Sequence, residues 1–214
     1  VEDTAVYRWF PIASLCEVGS EPVRPPDDAV ARVHAGNAER QARWPRSLLT
    51  VTTHDTKRTA DVRARLDALS EVADEWTRLV TRWRARHAPL RGRAGGRGAP
   101  DANAEYLVYQ TLVGVWPEPA GGDGPDDSAH TAHADARREL ADRVAAYMQK
   151  ARREAKAQTS WTDPSEDYER AVERFVRALV EDDAGAAFRG ELDALMRRVG
   201  RAGMWNALTR LVVH

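Results

Sequence analysis

From residue 59 onward, apolar side chains return every three or four positions, and this spacing points most of the chain toward α-helices. Thr59 precedes a first stripe of Val62, Leu66 and Leu69. Ser70 reads as a new N-cap, followed by Val72, Trp76, Leu79, Val80 and Trp83 at i, i+4, i+7, i+8 and i+11. A further helix carries Tyr106, Leu107, Tyr109, Leu112, Val113 and Trp116 and ends at Pro117. A long one places Leu140, Val144, Tyr147, Met148 and Ala151 inward, and Gln158 to Pro164 interrupts it. Two more follow, with Tyr168, Val172, Phe175, Val176 and Leu179, then Phe188, Leu192, Leu195, Met196 and Val199. Gly200 and Gly203 are expected to punctuate the entry to a last apolar segment, Met204 to Val213. Pro89 to Pro100 and Pro119 to Asp127, rich in Gly and Pro, read as loops. The reading is a mainly α protein with well over half its residues in helix.

The glycines between Pro89 and Pro100 do not form a phosphate cradle, because no apolar strand precedes them and no Lys-Ser/Thr pair follows. His130 and His133 lie three apart, but without evident carboxylate or cysteine partners no metal site is assigned, and no cofactor is expected. Lys and Arg total 32 against 33 Asp and Glu, so the near-neutral charge implies no attraction for nucleic acid or an anionic membrane. The single cysteine, Cys16, has no internal disulfide partner, which fits a reducing cytoplasm. No run approaches the apolar length of a membrane span, and no signal-peptide pattern opens the chain. It begins at Val1 rather than Met, and the expectation is a piece of something longer.

The chemistry concentrates in Ser47 to Arg58. Leu48, Leu49 and Val51, with Thr50, Thr52 and Thr53, suit a buried strand over 48–53. His54, Asp55, Thr56, Lys57 and Arg58 then place imidazole, carboxylate, hydroxyl, ammonium and guanidinium in consecutive positions. Polar groups at the carboxyl end of a buried strand are where α/β barrels hold their active sites. The same spacing also suits a helix start, with Asp55 or Thr56 capping and Lys57 and Arg58 solvated. Upstream, Arg24-Pro25-Pro26-Asp27-Asp28 introduces a helix with Val30, Val33, His34 and Asn37 on one face, where His34 is expected to pack. Glu2, Asp3, Tyr7 and Arg8 could line a ligand site or simply open a helix with acidic residues near its N-terminus.

Thr53-His54-Asp55-Thr56-Lys57-Arg58, continuing through Asp61-Val62-Arg63-Ala64-Arg65, resembles the maltooligosyl trehalose synthase family of the α-amylase-type glycoside hydrolase clan. The likeness extends to Glu2 through Arg8, Leu15 through Gly19, Glu105 through Gly114, Tyr147 through Ala151, Arg153 through Lys156, Thr159 through Thr162, Tyr168-Glu169 and Gly203 through Asn206. The family usually has Asn in place of Cys16, Gly in place of Ser20, and a residue other than Trp after Met204.

This resemblance implies a helical insertion attached to part of an incomplete (β/α)8 barrel. Residues 1–58 would be the barrel part, 59–202 the helical domain, and 203–214 a helix leading back. It implies that Asp55 is the third catalytic carboxylate, that His54 binds sugar hydroxyls, and that Lys57 and Arg58 contact the reducing-end glucose. Trp161 and Tyr168 are possible stacking surfaces, with core packing the alternative for each. The parent activity would convert the reducing-end α-1,4 linkage of a maltooligosaccharide, or of a glycogen-derived α-1,4-glucan, to α,α-1,1 by retaining intramolecular transglycosylation. The strands bearing the nucleophile and the acid/base are expected in the remainder of the parent chain, leaving this segment inactive alone. The alternative is a non-catalytic helical module that binds a protein or a glucan.

Overall fold

Trp83 organises the interior, and the helices can be read outward from it. The computed structural model describes residues 2–17, 27–117 and 127–213. Eight helices are seen among these: α1 (Glu2–Val6), α2 (Ala29–Arg43), α3 (Ala60–Asp67), α4 (Ala73–Arg86), α5 (Ala102–Val115), α6 (Asp127–Ala155), α7 (Glu166–Val180) and α8 (Ala186–Val213). One antiparallel hairpin, β1 (Gly92–Ala94) and β2 (Arg97–Ala99), pairs Gly92 with Ala99 and Ala94 with Arg97.

Helix α5 is the central rod. Ala104, Leu107, Val108, Tyr109, Leu112 and Val113 are all fully buried, and a helix apolar around its girth belongs inside a core. Asp101 caps it, its Oδ1 accepting from the backbone N–H groups of Asn103 and Ala104 at 3.0 Å each. Around α5, Trp83 of α4 packs edge-on to Phe188 of α8 at 4.8 Å between ring centroids and against Tyr109 at 5.4 Å. Each such buried aromatic or aliphatic side chain contributes about 1.5–3 kcal/mol. Leu140, Val144, Met148 and Ala151 of α6 and Tyr168, Val172, Phe175, Val176 and Leu179 of α7 complete the interior.

A polar chain crosses this core. His87 Nδ1 lies 2.9 Å from the Tyr109 hydroxyl, which donates to Glu105 Oε1 at 2.8 Å. Glu105 is wholly buried and faces the guanidinium groups of Arg91 at 3.4 Å and Arg84 at 3.8 Å. Burial pushes the His87 imidazole down to about 4, so it is neutral in the folded chain.

Helix α3 is pinched between α5 and α8. A Cβ on Gly114 would lie 2.8 Å from Val62 Cγ1, and one on Gly203 would lie 2.9 Å from the Cα of Arg65. Glycine at these two positions lets the helices close on one another. This explains a difference from the sequence reading: α8 runs unbroken through Gly200 and Gly203, because Gly203 serves helix packing rather than a turn.

Other expectations are corrected. Residues 48–53 form no strand; Leu48 is fully exposed and Leu49 half exposed. A strand needs ladder partners, and among the described residues none pairs with this segment. The threonines instead turn the chain locally, with Thr50 Oγ1 donating to the Thr52 carbonyl at 2.6 Å. The stretch expected as a flexible loop, Pro89 to Pro100, holds the hairpin. Gly95 and Gly96 supply the two positive φ values (54° and 79°) of its turn, and Gly92 packs on Ala171 of α7. Ser70 lies in a 3-10 turn, its hydroxyl donating to the Asp67 carbonyl, and does not cap α4. Helix α2 forms as expected but buries nothing: Val30, Val33 and His34 are exposed, so His34 is not packed. Arg24 to Pro26 and the loop over 119–126 lie outside the described residues, as do the side chains of His130 and His133.

Candidate active site

Two threonines fold the turn that carries His54 and Asp55. Thr56 Oγ1 accepts from the Thr53 backbone N–H at 2.7 Å, and Thr53 Oγ1 accepts from the Asp55 N–H at 3.3 Å. The Thr56 N–H closes the turn on the Thr53 carbonyl at 3.2 Å. His54 and Asp55 are thereby presented to solvent.

The next two residues anchor the turn to the body of the fold. The Lys57 N–H donates to Glu17 Oε2 at 2.5 Å. Arg58, buried to 9% exposure, donates to the Cys16 carbonyl at 3.2 Å and to the Tyr147 hydroxyl of α6 at 2.8 Å. Its charge lies 3.8 Å from Glu17 Oε1 and sits over the Tyr147 ring at 6.0 Å from the centroid. A guanidinium suits this place because its fixed fork serves several acceptors at once. Arg58 thus faces inward, while the Lys57 ammonium turns back to Asp55 Oδ1 at 2.8 Å.

That hydrogen bond, with the Lys57 charge behind it, holds the Asp55 carboxyl below its ordinary range and favours the anion that an exposed aspartate already carries at neutral pH. Lys57 also lines a cavity of about 240 Å³ with Arg58, Thr59, Thr111, Arg143 and Tyr147. The arrangement presents a fixed carboxylate with an ammonium at its side. It can bind sugar hydroxyls and stabilise a cation, and its proton is already lost.

The N-terminal segment packs beside this turn. Tyr7 is buried, and burial pushes its phenol up to about 12. Arg8 covers the C-terminal end of α6, donating to the carbonyls of Ala155 at 2.5 Å and Lys156 at 2.9 Å. The Cys16 thiol is fully buried, is pushed up to about 11 by that burial, and donates to the Trp9 and Ile12 carbonyls. Tyr168 belongs to the core and donates to Asp101 Oδ2 at 2.6 Å. The side chains of Glu2 and Asp3 lie outside the described residues.

Sequence reasoning on residue types pointed to His54, Asp55, Lys57 and Arg58 and missed Glu17 and Tyr147. These lie 40 and 89 residues from their partners, and no local spacing signals such pairs. Among the described residues no three His, Cys, Asp or Glu side chains gather as a metal set, and no helix is long and apolar enough to cross a membrane.

No family model matches the chain. A protein named as a putative maltooligosyl trehalose synthase from Mycobacterium tuberculosis is 35% identical over 190 residues. The match takes in 89% of this chain and 22% of that relative, so the chain spans less than a quarter of its length. Among solved structures, maltooligosyltrehalose synthase from Arthrobacter ramosus superposes with a TM-score of 0.71 at 33% identity, covering 97% of this chain and 23% of the other. A hypothetical maltooligosyl trehalose synthase from Sulfolobus tokodaii gives 0.69 at 28% identity, covering 94% and 24%. By sequence and by fold together, the chain matches a segment of maltooligosyl trehalose synthases, about a quarter of the length of the proteins compared.

Proposed function

We propose that this segment supplies the stabilising carboxylate of an intramolecular transglycosylation on α-1,4-glucans. The reaction breaks the bond between the anomeric carbon of the penultimate glucose and O4 of the reducing-end glucose, O4 taking a proton from a carboxylic acid as the glycosyl unit passes to an enzyme carboxylate. The released glucose then attacks through its own anomeric hydroxyl, giving an α,α-1,1 link with net retention. Such chemistry takes one carboxylate nucleophile and one carboxylic acid placed close together across the bond. Both are assigned to barrel strands outside this segment, so the isolated chain is expected to be inactive.

Asp55 is assigned to neither role. It would accept hydrogen bonds from the ring hydroxyls and face the positive charge that develops at the anomeric centre, a preorganised electrostatic contribution. His54 would hydrogen-bond the same sugar. Lys57 would orient the Asp55 carboxylate through its hydrogen bond and reach the reducing-end glucose. Arg58, first expected to touch that glucose, is assigned here to positioning, because it is buried and two of its N–H groups are engaged by Cys16 and Tyr147. The helical domain would help to keep water from the glycosyl intermediate while the acceptor turns over.

The observation that carries this reading is the Thr53–Arg58 turn. It presents an ionised, lysine-paired carboxylate to solvent while Glu17 and Tyr147 fix its base. The test is a paired assay on maltopentaose. A complete synthase carrying this segment should form the trehalose-ended isomer, and the isolated chain should form none. Isomer formation by the isolated chain, or none by the complete enzyme, would overturn the assignment.

A further inference from the structure

Trp161 stands in the break between α6 and α7 with 52% of its surface exposed. Its placement is nonetheless tightly built. Nε1 donates to Glu154 Oε1 at 2.9 Å, and the Arg153 guanidinium covers the ring at 5.0 Å from its centroid. Arg153 is itself clamped by Glu169, Nε to Oε1 at 2.8 Å and Nη2 to Oε2 at 2.6 Å. Glu169 also accepts from Thr159 Oγ1 at 2.6 Å and Gln149 Nε2 at 2.9 Å. The short loop is closed by Ser160, whose Oγ accepts from the Asp163 N–H at 2.9 Å and whose own N–H donates to the Asp163 carbonyl at 3.1 Å. A large flat aromatic is therefore held in the open, one edge tied and the ring backed by a cation.

The position of this ring connects it to the Asp55 turn. Glu154 lies seven residues beyond Tyr147 on α6, two turns along the same face and about 10 Å away. Tyr147 anchors Arg58, and the buried Tyr7 phenol feels the charges of both Lys57 and Glu154. Lys150, one turn on from Tyr147, acts on the Asp55 carboxylate. Lys150 and Glu154, four residues apart on α6, therefore share the face of the helix that leads from the Tyr147 anchor toward the indole.

Resting on the function proposed above, we infer that Trp161 is a stacking platform for a pyranose ring of the α-1,4-glucan whose reacting end lies at the Asp55 turn. The axial C–H face of glucose is apolar and flat enough to lie on an indole, while its equatorial hydroxyls point to the rim. Here the rim offers the Glu154 carboxylate, already beside the indole edge, as an acceptor. Because the ring is fixed before binding, little ordering entropy opposes the contact.

The test is steady-state kinetics on maltopentaose with a complete synthase carrying Trp161→Ala, Trp161→Phe or Asp55→Asn. Trp161 is exposed, so its variants should keep the fold, which an unchanged melting temperature verifies. Trp161→Ala should raise KM roughly ten-fold with kcat little changed, and Trp161→Phe should recover most of that loss. An unchanged KM in Trp161→Ala alongside a collapsed kcat in Asp55→Asn would overturn the platform and leave the active-site assignment standing. Unchanged constants in both would overturn the two together. A fall in melting temperature of Trp161→Ala that accounts for its lost activity would return Trp161 to a structural role and also overturn the platform.

Discussion

Arg58 donates to the hydroxyl of Tyr147, 89 residues later in the chain, at 2.8 Å. This bond joins the turn bearing His54 and Asp55 to the middle of the longest helix. Tyr147→Phe removes the acceptor and keeps the ring beneath the guanidinium. The bond is charge-assisted and half buried, so its loss should lower unfolding free energy by about 2 kcal/mol, read from urea denaturation. A variant within a few tenths of a kcal/mol of the parent would mean that the bond does not hold the turn.

Lys57 tests whether the reducing-end glucose is retained at this site. In a complete synthase, Lys57→Ala should raise the share of free glucose relative to the isomerised product at early conversion, since water then competes for the glycosyl intermediate. An unchanged ratio with both products reduced would limit Lys57 to orienting the Asp55 carboxylate across 2.8 Å.

His87 gives a pH signature to the helical core. Its imidazole is pushed down to about 4 when folded, against 6.5 when free, so the unfolded chain binds more protons between these values. Stability is then complete above about pH 6.5 and falls as pH drops toward about 4, by on the order of 2 kcal/mol. His87→Phe keeps the ring and removes the titration. The difference in unfolding free energy between pH 7 and pH 5 should be smaller in the variant than in the parent. Equal differences would show that His87 is not a source of the pH dependence.

Gly203 and Gly190 make an internal comparison on one helix. A methyl on Gly190 meets nothing within 4 Å, so Gly190→Ala should stabilise by up to about 1 kcal/mol through helix propensity. A methyl on Gly203 would press on the Arg65 backbone, and Gly203→Ala should cost about 1–3 kcal/mol. Thermal denaturation of the pair gives the sign of each. A stabilised Gly203→Ala would mean that α3 and α8 do not need their close approach.

The helices were legible because their signal is local. The stripes of α4, α6, α7 and α8 repeat at the helical period, and most of those side chains are buried, with Val80 and Tyr147 partly so. A strand is different, since its stability lies in partners that its own sequence does not name. Leu48 to Thr53 has β-branched, apolar character and remains unpaired among the described residues, whereas the unpromising Gly92–Ala99 stretch pairs with itself through a Gly-Gly turn. The site divides in the same way. Consecutive residues such as His54, Asp55 and Lys57 show their chemistry in the sequence. The inward turn of Arg58, and the parts played by Glu17 and Tyr147, depend on long-range packing.

The most direct measurement is turnover and substrate affinity of Asp55→Asn in a complete synthase acting on maltopentaose. The substitution keeps the shape of the side chain and removes its charge. If Asp55 stabilises the developing cation, kcat should fall by roughly two orders of magnitude or more while the dissociation constant changes little. Near-normal kcat in a folded Asp55→Asn enzyme would contradict this account and leave Asp55 as part of a surface turn.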